Sequence, residues 1–257
     1  MTKQTPLVIS NNATLRKQYH ELSSGDIVSG RLRFLDSEEF LLLDLVERGV
    51  NLIPSGLSQL ACRSKSFQAT LFGCWMVDNT VAIHNLHQLM EAMQDYPDCP
   101  DGLVTKLDRK NAGLGIHRWN SLEEVFNQAS LGVLPFPFVL QPFVPESRDI
   151  RVIVMDDYLE AYWRHNSKNF RNNLHFGGQS EPCTLKPEQI EICRTVMERG
   201  KFPYAHIDFM VTREGKSYLS EINLRGGIRG AQITPAEYEQ RLQKSHQRQL
   251  EAALSQG

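Results

Sequence analysis

The sequence has little of what marks disulfide-rich, membrane-spanning or nucleic-acid-coating proteins. Its five cysteines are an odd number without a Cys-x-x-Cys pair, which argues against a disulfide framework or a zinc site and favours a reducing compartment. No run approaches the roughly 20 apolar residues of a membrane helix. Residues 1–10 lack a signal-peptide pattern. Because 28 Lys and Arg stand against 30 Asp and Glu, no basic excess favours nucleic acid. We therefore expect a cytoplasmic protein that binds neither membrane nor nucleic acid.

What is present is a chain of 257 residues with 41% hydrophobic and 23% charged residues, which is typical of a folded globular protein. Short strand and helix patterns predict a small α/β unit at the N-terminus and a β-rich lobe with two helices after it. Pro135 and Pro137 mark a break between two parts. We expect four segments: a short N-terminal α/β unit (1–62), a small lobe (63–134), a large lobe (135–233) and a C-terminal helix (234–257). The helix is expected to be either solvated or in contact with a partner.

The most informative chemical pattern lies in a predicted hairpin around Glu214-Gly215. A register symmetric about this turn places Asp208 opposite Glu221, and His206 opposite Asn223. Side chains of one face recur at every second residue, so these four share a face. The alternate residues are apolar and form the expected core side: Ile207, Phe209, Ile222 and Leu224.

The polar face of this hairpin predicts a metal site. Two carboxylates on opposite strands, about 5 Å apart at Cβ, repel each other unless a cation lies between them. Oxygen ligands select a hard ion, so Asp208, Glu221 and Asn223 are candidate ligands of Mg²⁺. The alternative is a solvated face of an edge hairpin, in which neighbouring Lys or Arg side chains screen the acids.

Cations that suit a polyphosphate precede this hairpin. Lys106 ends an apolar strand and is followed by a glycine loop, 111–115, in which Gly113 allows backbone N–H groups to approach phosphate oxygens. An ordinary hairpin turn explains the glycines equally well. Four arginines fall within a short stretch beyond it, where guanidinium groups suit phosphate or carboxylate: Arg148, Arg151, Arg164 and Arg171. A role in surface solubility is the alternative for any single one.

Five motifs follow one another in a familiar order: Gln141-Pro142-Phe143-Val144, Arg148-Asp149-Ile150-Arg151, Phe170-Arg171-Asn172-Asn173-Leu174-His175-Phe176-Gly177-Gly178, Asp208, and Glu221-Ile222-Asn223. The series resembles the ATP-grasp superfamily, in particular its RimK-type glutamate-ligase branch, over roughly residues 49–230. The resemblance implies a three-part fold in which two α+β lobes clamp ATP.

The resemblance also implies roles for individual residues. Positions implied to bind the nucleotide are Lys65, Lys106, Gln141, Pro142, Phe143, Val144, Asp149 and Arg164, joined by Gly113 of the glycine loop. Positions implied to act near the phosphates and the acyl substrate are Arg151, Arg171 and Asn173. The implied magnesium ligands are Asp208, Glu221 and Asn223, the same three residues that the hairpin pattern selects.

Three residues depart from the RimK-type pattern. Pro142 has no N–H to offer the adenine, although its carbonyl remains. Arg225 and Arg229 stand where RimK-type ligases usually have small residues with Ser-Pro-Gly, and they add positive charge near the acyl site. Glutamate is therefore not the assured substrate.

The expected function is an ATP- and Mg²⁺-dependent ligase that joins a carboxylate to an amine through an acylphosphate, with Mn²⁺ as a possible substitute. The expected partners are small-molecule carboxylates and amines, including an amino acid or a peptide terminus, and an oligomer is possible. An ATP-grasp phosphotransferase and a non-catalytic ATP-binding regulator are the alternatives.

Overall fold

The computed structural model describes residues 5–35, 37–110, 113–166, 169–170, 172, 174 and 177–256. It confirms the predicted α+β mixture, and within these residues the strands form three separate sheets. In the same part of the chain, no helix has both the length and the apolar character that crossing a bilayer requires.

The N-terminal unit is built on a parallel sheet of order β1-β2-β3. Its elements are β1 (Val8–Ile9), α1 (Asn12–Gln18), β2 (Ile27–Ser29), α2 (Phe40–Glu47), β3 (Asn51–Ile53) and α3 (Gly56–Ala61). Apolar residues from the strands and from both longer helices form one core, including Ile9, Val28, Leu42 and Leu45. The short strands and the alternating helices match the expected α/β unit.

The middle of the chain forms a four-stranded antiparallel sheet of order β4-β7-β5-β6. Its elements are α4 (Lys65–Phe72), a 3₁₀ turn (Gly73–Trp75), β4 (Val81–Ile83), α5 (Leu86–Asp95), β5 (Leu103–Leu107), β6 (Ile116–Trp119), α6 (Leu122–Ser130) and β7 (Phe138–Pro142). The expected boundary between the small and large lobes, after residue 134, would have assigned β7 to the large lobe. The structure places β7 within it because its backbone pairs with both β4 and β5.

A five-stranded antiparallel sheet of order β10-β9-β8-β11-β12 forms the large lobe. Its elements are β8 (Arg148–Met155), β9 (Tyr158–His165), β10 (Gln179–Pro182), α7 (Pro187–Gly200), β11 (Tyr204–Val211) and β12 (Ser217–Asn223). One face carries buried apolar side chains that pack in a common core with Val196 of α7, among them Ile150, Val152, Ile207 and Phe209. The opposite face carries charged residues. As the alternating pattern predicts, apolar side chains lie on the core face of the sheet and candidate site residues lie on the other face.

The C-terminal helix, α8 (Pro235–Gln256), packs into the molecule at its N-terminal half. It contacts β2 and β3 of the N-terminal sheet and β8 of the large sheet. Tyr238, Leu242 and Ser245 are buried there. The expectation of a solvated or partner-bound segment is therefore wrong for this half of the helix, which joins the N-terminal unit to the large lobe.

Candidate active site

A pocket of about 600 Å³ lies between the four-stranded sheet and the polar face of the five-stranded sheet. Eleven of the expected site residues line it: Lys106, Gly113, Gln141, Phe143, Val144, Asp149, Arg151, Arg164, Asp208, Glu221 and Asn223. Pro142 and Lys65 are not among the lining residues, although Lys65 contacts Glu221. Arg171 and Asn173 lie outside the described residues.

The hairpin of β11 and β12 brings the expected metal ligands together, but its strand register differs in part from the predicted one. Asp208 pairs with Glu221 and His206 with Asn223, as expected, but Phe209 pairs with Leu219. A β-bulge at Ser220 accounts for the change of register. The predicted symmetric register is therefore wrong near the turn and correct at the carboxylates.

The bulge has a clear physical reason. Strict alternation would put Leu219 on the same face as Glu221 and Asn223. The extra residue turns Leu219 inward, where it is 1% exposed, and leaves Glu221 facing the pocket. The β-bulge therefore allows Leu219 to be buried in the core and Glu221 to face the pocket at the same time.

Two guanidinium groups hold the Asp208 carboxylate. Arg151, its neighbour on β8, donates from Nε to Oδ1 and from Nη2 to Oδ2, both at 2.8 Å. Arg164 on β9 places Nη2 at 3.0 Å from the same Oδ2 and at 3.5 Å from Asp149. Burial opposes the charge of Asp208, but the two arginines outweigh it and hold the pKa of Asp208 below its usual range. The carboxylate is therefore ionised at neutral pH.

The two lysines lie beside β12, the other strand of this hairpin. The Lys65 ammonium, on the first residue of α4, is 3.3 Å from Oε1 of Glu221 and donates to the Lys110 carbonyl at 2.8 Å. The Lys106 ammonium faces the carbonyl and hydroxyl oxygens of Ser220, the bulged residue, at 3.5 and 3.4 Å. Burial lowers the pKa of Lys106 to about 8. Both cations therefore lie within reach of an anion bound near Glu221.

Several positioning contacts had no sequence signal strong enough to predict them. Gln68 of α4 is 1% exposed, and its amide accepts from the Ile222 N–H at 3.0 Å and donates to the Ile222 carbonyl at 2.9 Å. Asp108 accepts from the Ser64 hydroxyl at 2.7 Å and from the Ser66 N–H at 2.9 Å, which fixes the start of α4. For the contacts of Asp108, the only signal in the sequence is Ser64, a residue type that favours the N-cap of a helix.

Asn172 is a further positioning residue, and it lies in the motif that runs from Phe170 to Gly178. Its amide donates to the Ser147 carbonyl at 3.0 Å and to Oδ1 of Asp149 at 3.4 Å. Asp149 is thus held between Asn172 and Arg164. Asn172 could have been selected from the sequence, since it lies between Arg171 and Asn173, which the resemblance implies to act near the acyl substrate.

His206 supports the wall of the pocket and is buried. Its Nε2 is 2.8 Å from the Tyr238 hydroxyl, and burial lowers the pKa of His206 to about 3. Gly226 passes so close that an added Cβ would lie 2.7 Å from Nδ1 of His206. A neutral histidine packed in this way fits a structural role, and it explains why glycine occupies position 226.

The arrangement of two α+β lobes around one charged pocket is that of the ATP-grasp fold. In agreement, the D-alanyl-alanine synthetase A of Vibrio cholerae superimposes with a TM-score of 0.60 at 15% identity, over 87% of this chain and 76% of that one. The model of the RimK-like ATP-grasp domain matches residues 103–241, just over half of the chain. The chain belongs to the RimK-like ATP-grasp family.

Curated relatives match part of this chain. A coenzyme gamma-F420-2:alpha-L-glutamate ligase of Methanococcus maripaludis is 30% identical over 95 residues, covering 37% of this chain and 33% of the relative. A probable alpha-L-glutamate ligase 1 of Shewanella sp. is 29% identical over 138 residues, covering 51% of this chain and 45% of the relative. The chain thus spans between a third and a half of the length of these relatives.

Proposed function

We propose that this protein is an ATP-dependent ligase that joins a carboxylate to an amine through an acylphosphate. The observation that carries the proposal is the convergence, in one pocket, of three oxygen donors with two buried cations and one half-buried cation. The donors are Asp208, Glu221 and Asn223, and the cations are Lys106, Arg151 and Arg164. The family relationship and the glutamate-ligase names of the relatives support the same reaction class.

The donor set fits Mg²⁺, with Mn²⁺ as a substitute. In the described parts of the chain no three His, Cys, Asp or Glu side chains come together as a metal site. Two carboxylates and an amide oxygen, by contrast, are what a hard dication accepts when phosphate and water supply its remaining ligands. Bound there, Mg²⁺ would supply charge neutralisation for the triphosphate. Asp208, Glu221 and Asn223 would hold it.

The protein's own groups account for the remaining steps. A substrate carboxylate oxygen attacks the γ-phosphorus, the bond to the β-phosphate oxygen breaks, and ADP leaves. Lys106 neutralises charge on the transferred phosphoryl group. The amine then attacks the acyl carbon, phosphate leaves and the nitrogen loses a proton. Arg151, whose Nη1 also donates to the Gly227 carbonyl at 3.1 Å, is positioned to stabilise the tetrahedral oxyanion.

We further propose that the partners are a small carboxylate and a small amine, including an amino acid or a peptide terminus. Arg171 and Asn173 remain candidates for binding the acyl phosphate. Five cysteines without a disulfide favour a reducing compartment, so we propose the cytoplasm.

The direct test incubates the purified chain with ATP, Mg²⁺ and pooled amino acids. We expect ADP and inorganic phosphate to appear in equal amounts, together with a product whose mass equals two substrates less one water. ADP without free phosphate would instead indicate a phosphotransferase. Nucleotide binding without turnover would indicate a regulator.

The pKa of Lys106 predicts a pH dependence of nucleotide binding. Below about pH 8 the ammonium is charged and attracts the phosphates, and above it the free protein must first gain a proton. For one group of this pKa, ADP affinity measured by calorimetry should be about tenfold weaker at pH 9 than at pH 7. Lys106→Arg should flatten this profile, because a guanidinium stays charged throughout. Equal affinity of the unmodified protein at both pH values would contradict the prediction.

A further inference from the structure

The two lysines that the family resemblance implies to bind the nucleotide come from different segments of the small lobe. Lys65 is the first residue of α4, and Lys106 lies in β5. The Lys65 ammonium is 3.3 Å from Oε1 of Glu221. The Lys106 ammonium is 3.4 Å from the hydroxyl oxygen of Ser220, the preceding residue of β12. A polyphosphate bound near Glu221 meets both cations only while α4 and β5 keep this relative position.

Asp108, which directly follows β5, binds the start of α4 on both sides of Lys65. Its Oδ2 atom accepts from the hydroxyl groups of Ser64 and Ser66, each at 2.7 Å. Its Oδ1 atom accepts from the Ser66 N–H at 2.9 Å. One carboxylate on the β5 segment thus receives three hydrogen bonds from the two residues that flank Lys65.

Asp108 also offsets an unfavourable feature of α4. The positive end of a helix dipole lies at the N-terminus, where a lysine is disfavoured and a carboxylate is favoured. Lys65 occupies the first position of α4, and the first turn of this helix contains no acidic residue. Asp108 supplies the missing negative charge from another segment, because it accepts directly from the Ser66 N–H of this first turn. The start of α4 therefore depends on a group that β5 carries.

Two further hydrogen bonds join the same segments. The Arg109 N–H donates to the Arg63 carbonyl at 3.2 Å, and the Lys65 ammonium donates to the Lys110 carbonyl at 2.8 Å. Asp108 is not among the described residues that line the pocket. Because its carboxylate repels phosphate rather than attracting it, any gain in nucleotide affinity from Asp108 comes through the groups that it holds.

We propose that Asp108 is a positioning residue for nucleotide binding, which holds the Lys65 ammonium beside the Lys106 ammonium. A cation that is already in place loses less conformational entropy on binding an anion than a mobile lysine does, so it contributes more to affinity. Without the carboxylate, Ser64 and Ser66 lose their common partner, and the start of α4 no longer follows β5. This inference rests on the proposed function, since it requires both lysines to bind phosphate.

Calorimetric titration with ADP in the presence of Mg²⁺ tests this role. Asp108→Ala should raise the Kd about tenfold, the factor that corresponds to one charged hydrogen bond. Asp108→Asn keeps the hydrogen-bonding positions but not the charge at the start of α4, so its Kd should lie between those of Asp108→Ala and the unmodified protein. Asp98→Ala is the matched control and should leave the Kd unchanged, because Asp98 is exposed in the same lobe and does not line the pocket.

A double-mutant cycle tests whether Asp108 acts through Lys65. In a Lys65→Gln background, Asp108→Ala should change the Kd by less than about twofold, because the ammonium that it positions is already gone. A merely structural role would lower the melting temperature of Asp108→Ala and leave its Kd unchanged well below that temperature. If Asp108→Ala does not fold, Ser66→Ala removes one of the three hydrogen bonds and should raise the Kd about threefold, again only when Lys65 is present.

The outcomes separate this inference from the function on which it rests. An unchanged Kd in Asp108→Ala, or the same loss in both backgrounds, overturns the inference and leaves the ligase intact. A Lys65→Gln variant that binds ADP as tightly as the unmodified protein overturns it as well. If the unmodified protein binds ADP but forms no product, the ligase function fails, while the Kd values still decide the role of Asp108. Failure of the unmodified protein to bind ADP with Mg²⁺ would overturn both.

Discussion

Replacing Asp208 with alanine is expected to abolish ADP release and to destabilise the fold. The carboxylate is a proposed metal ligand, and it also neutralises Arg151 and Arg164, whose side chains are 17% and 6% exposed. Removing one partner of a buried ion pair costs about 3–5 kcal/mol, because the other charge remains buried. Asp149, at 3.5 Å from Arg164, compensates in part, so we expect the lower end of this range. Urea denaturation and an ADP assay measure the two effects.

Asp208→Asn separates the two consequences. The amide keeps the shape and one acceptor oxygen, so it should recover part of the stability while the loss of negative charge still removes turnover. Asp78→Ala is a matched surface control, because Asp78 is 77% exposed and pairs with Lys216. Its stability should stay within about 0.5 kcal/mol of the unmodified protein. An undiminished rate of ADP release in Asp208→Ala would refute the metal assignment.

Replacing Gln68 with leucine should weaken the molecule at the edge of the large sheet. β12 is the last strand of that sheet, and the Gln68 amide pairs with both backbone groups of Ile222 as a further strand would. Leucine leaves a buried N–H and a buried carbonyl unpaired, which costs about 1–3 kcal/mol each. Because Ile222 lies between Glu221 and Asn223, we also expect a lower kcat below the melting temperature.

The matched control is Gln240→Leu, since Gln240 is exposed on α8 and should change stability by less than about 0.5 kcal/mol. Gln68→Glu keeps the acceptor for the Ile222 N–H. The protonated acid can also donate its O–H to the Ile222 carbonyl, so its effect should be intermediate, whereas the ionised carboxylate has no donor for that carbonyl. Equal unfolding free energies for Gln68→Leu and the control would show that this amide does not hold β12. Lost stability with an unchanged kcat would show that it holds the strand without positioning its ligands.

The sequence by itself determined much of the local structure. The sequence Ser121-Leu122-Glu123-Glu124 matches a capping box, and in the structure the Ser121 hydroxyl caps α6 by accepting from the Glu124 N–H at 3.2 Å. The alternation along β11 and β12 correctly separated the apolar side, Ile207 and Ile222, from the ligand side. These features depend on neighbours a few residues away, and a local pattern contains that information.

The bulge at Ser220 shows where local periodicity stops being sufficient. A period of two predicts one register for the whole hairpin, whereas the structure changes register between Asp208 and Phe209. Burial of Leu219 stabilises the change, and burial is a property of the packed core rather than of the strand alone.

Only the tertiary structure decided which distant segments complete the pocket. Gln68 reaches Ile222 across 154 positions in the sequence, Arg31 enters from the N-terminal unit, and α8 joins that unit to the large sheet. The pattern of a helix indicates which of its faces is apolar. It does not indicate which element covers that face, because the free energy of burial depends on the apolar area and not on the identity of the partner. The partner is chosen by shape and by the pairing of buried polar groups, which form only when the segments meet.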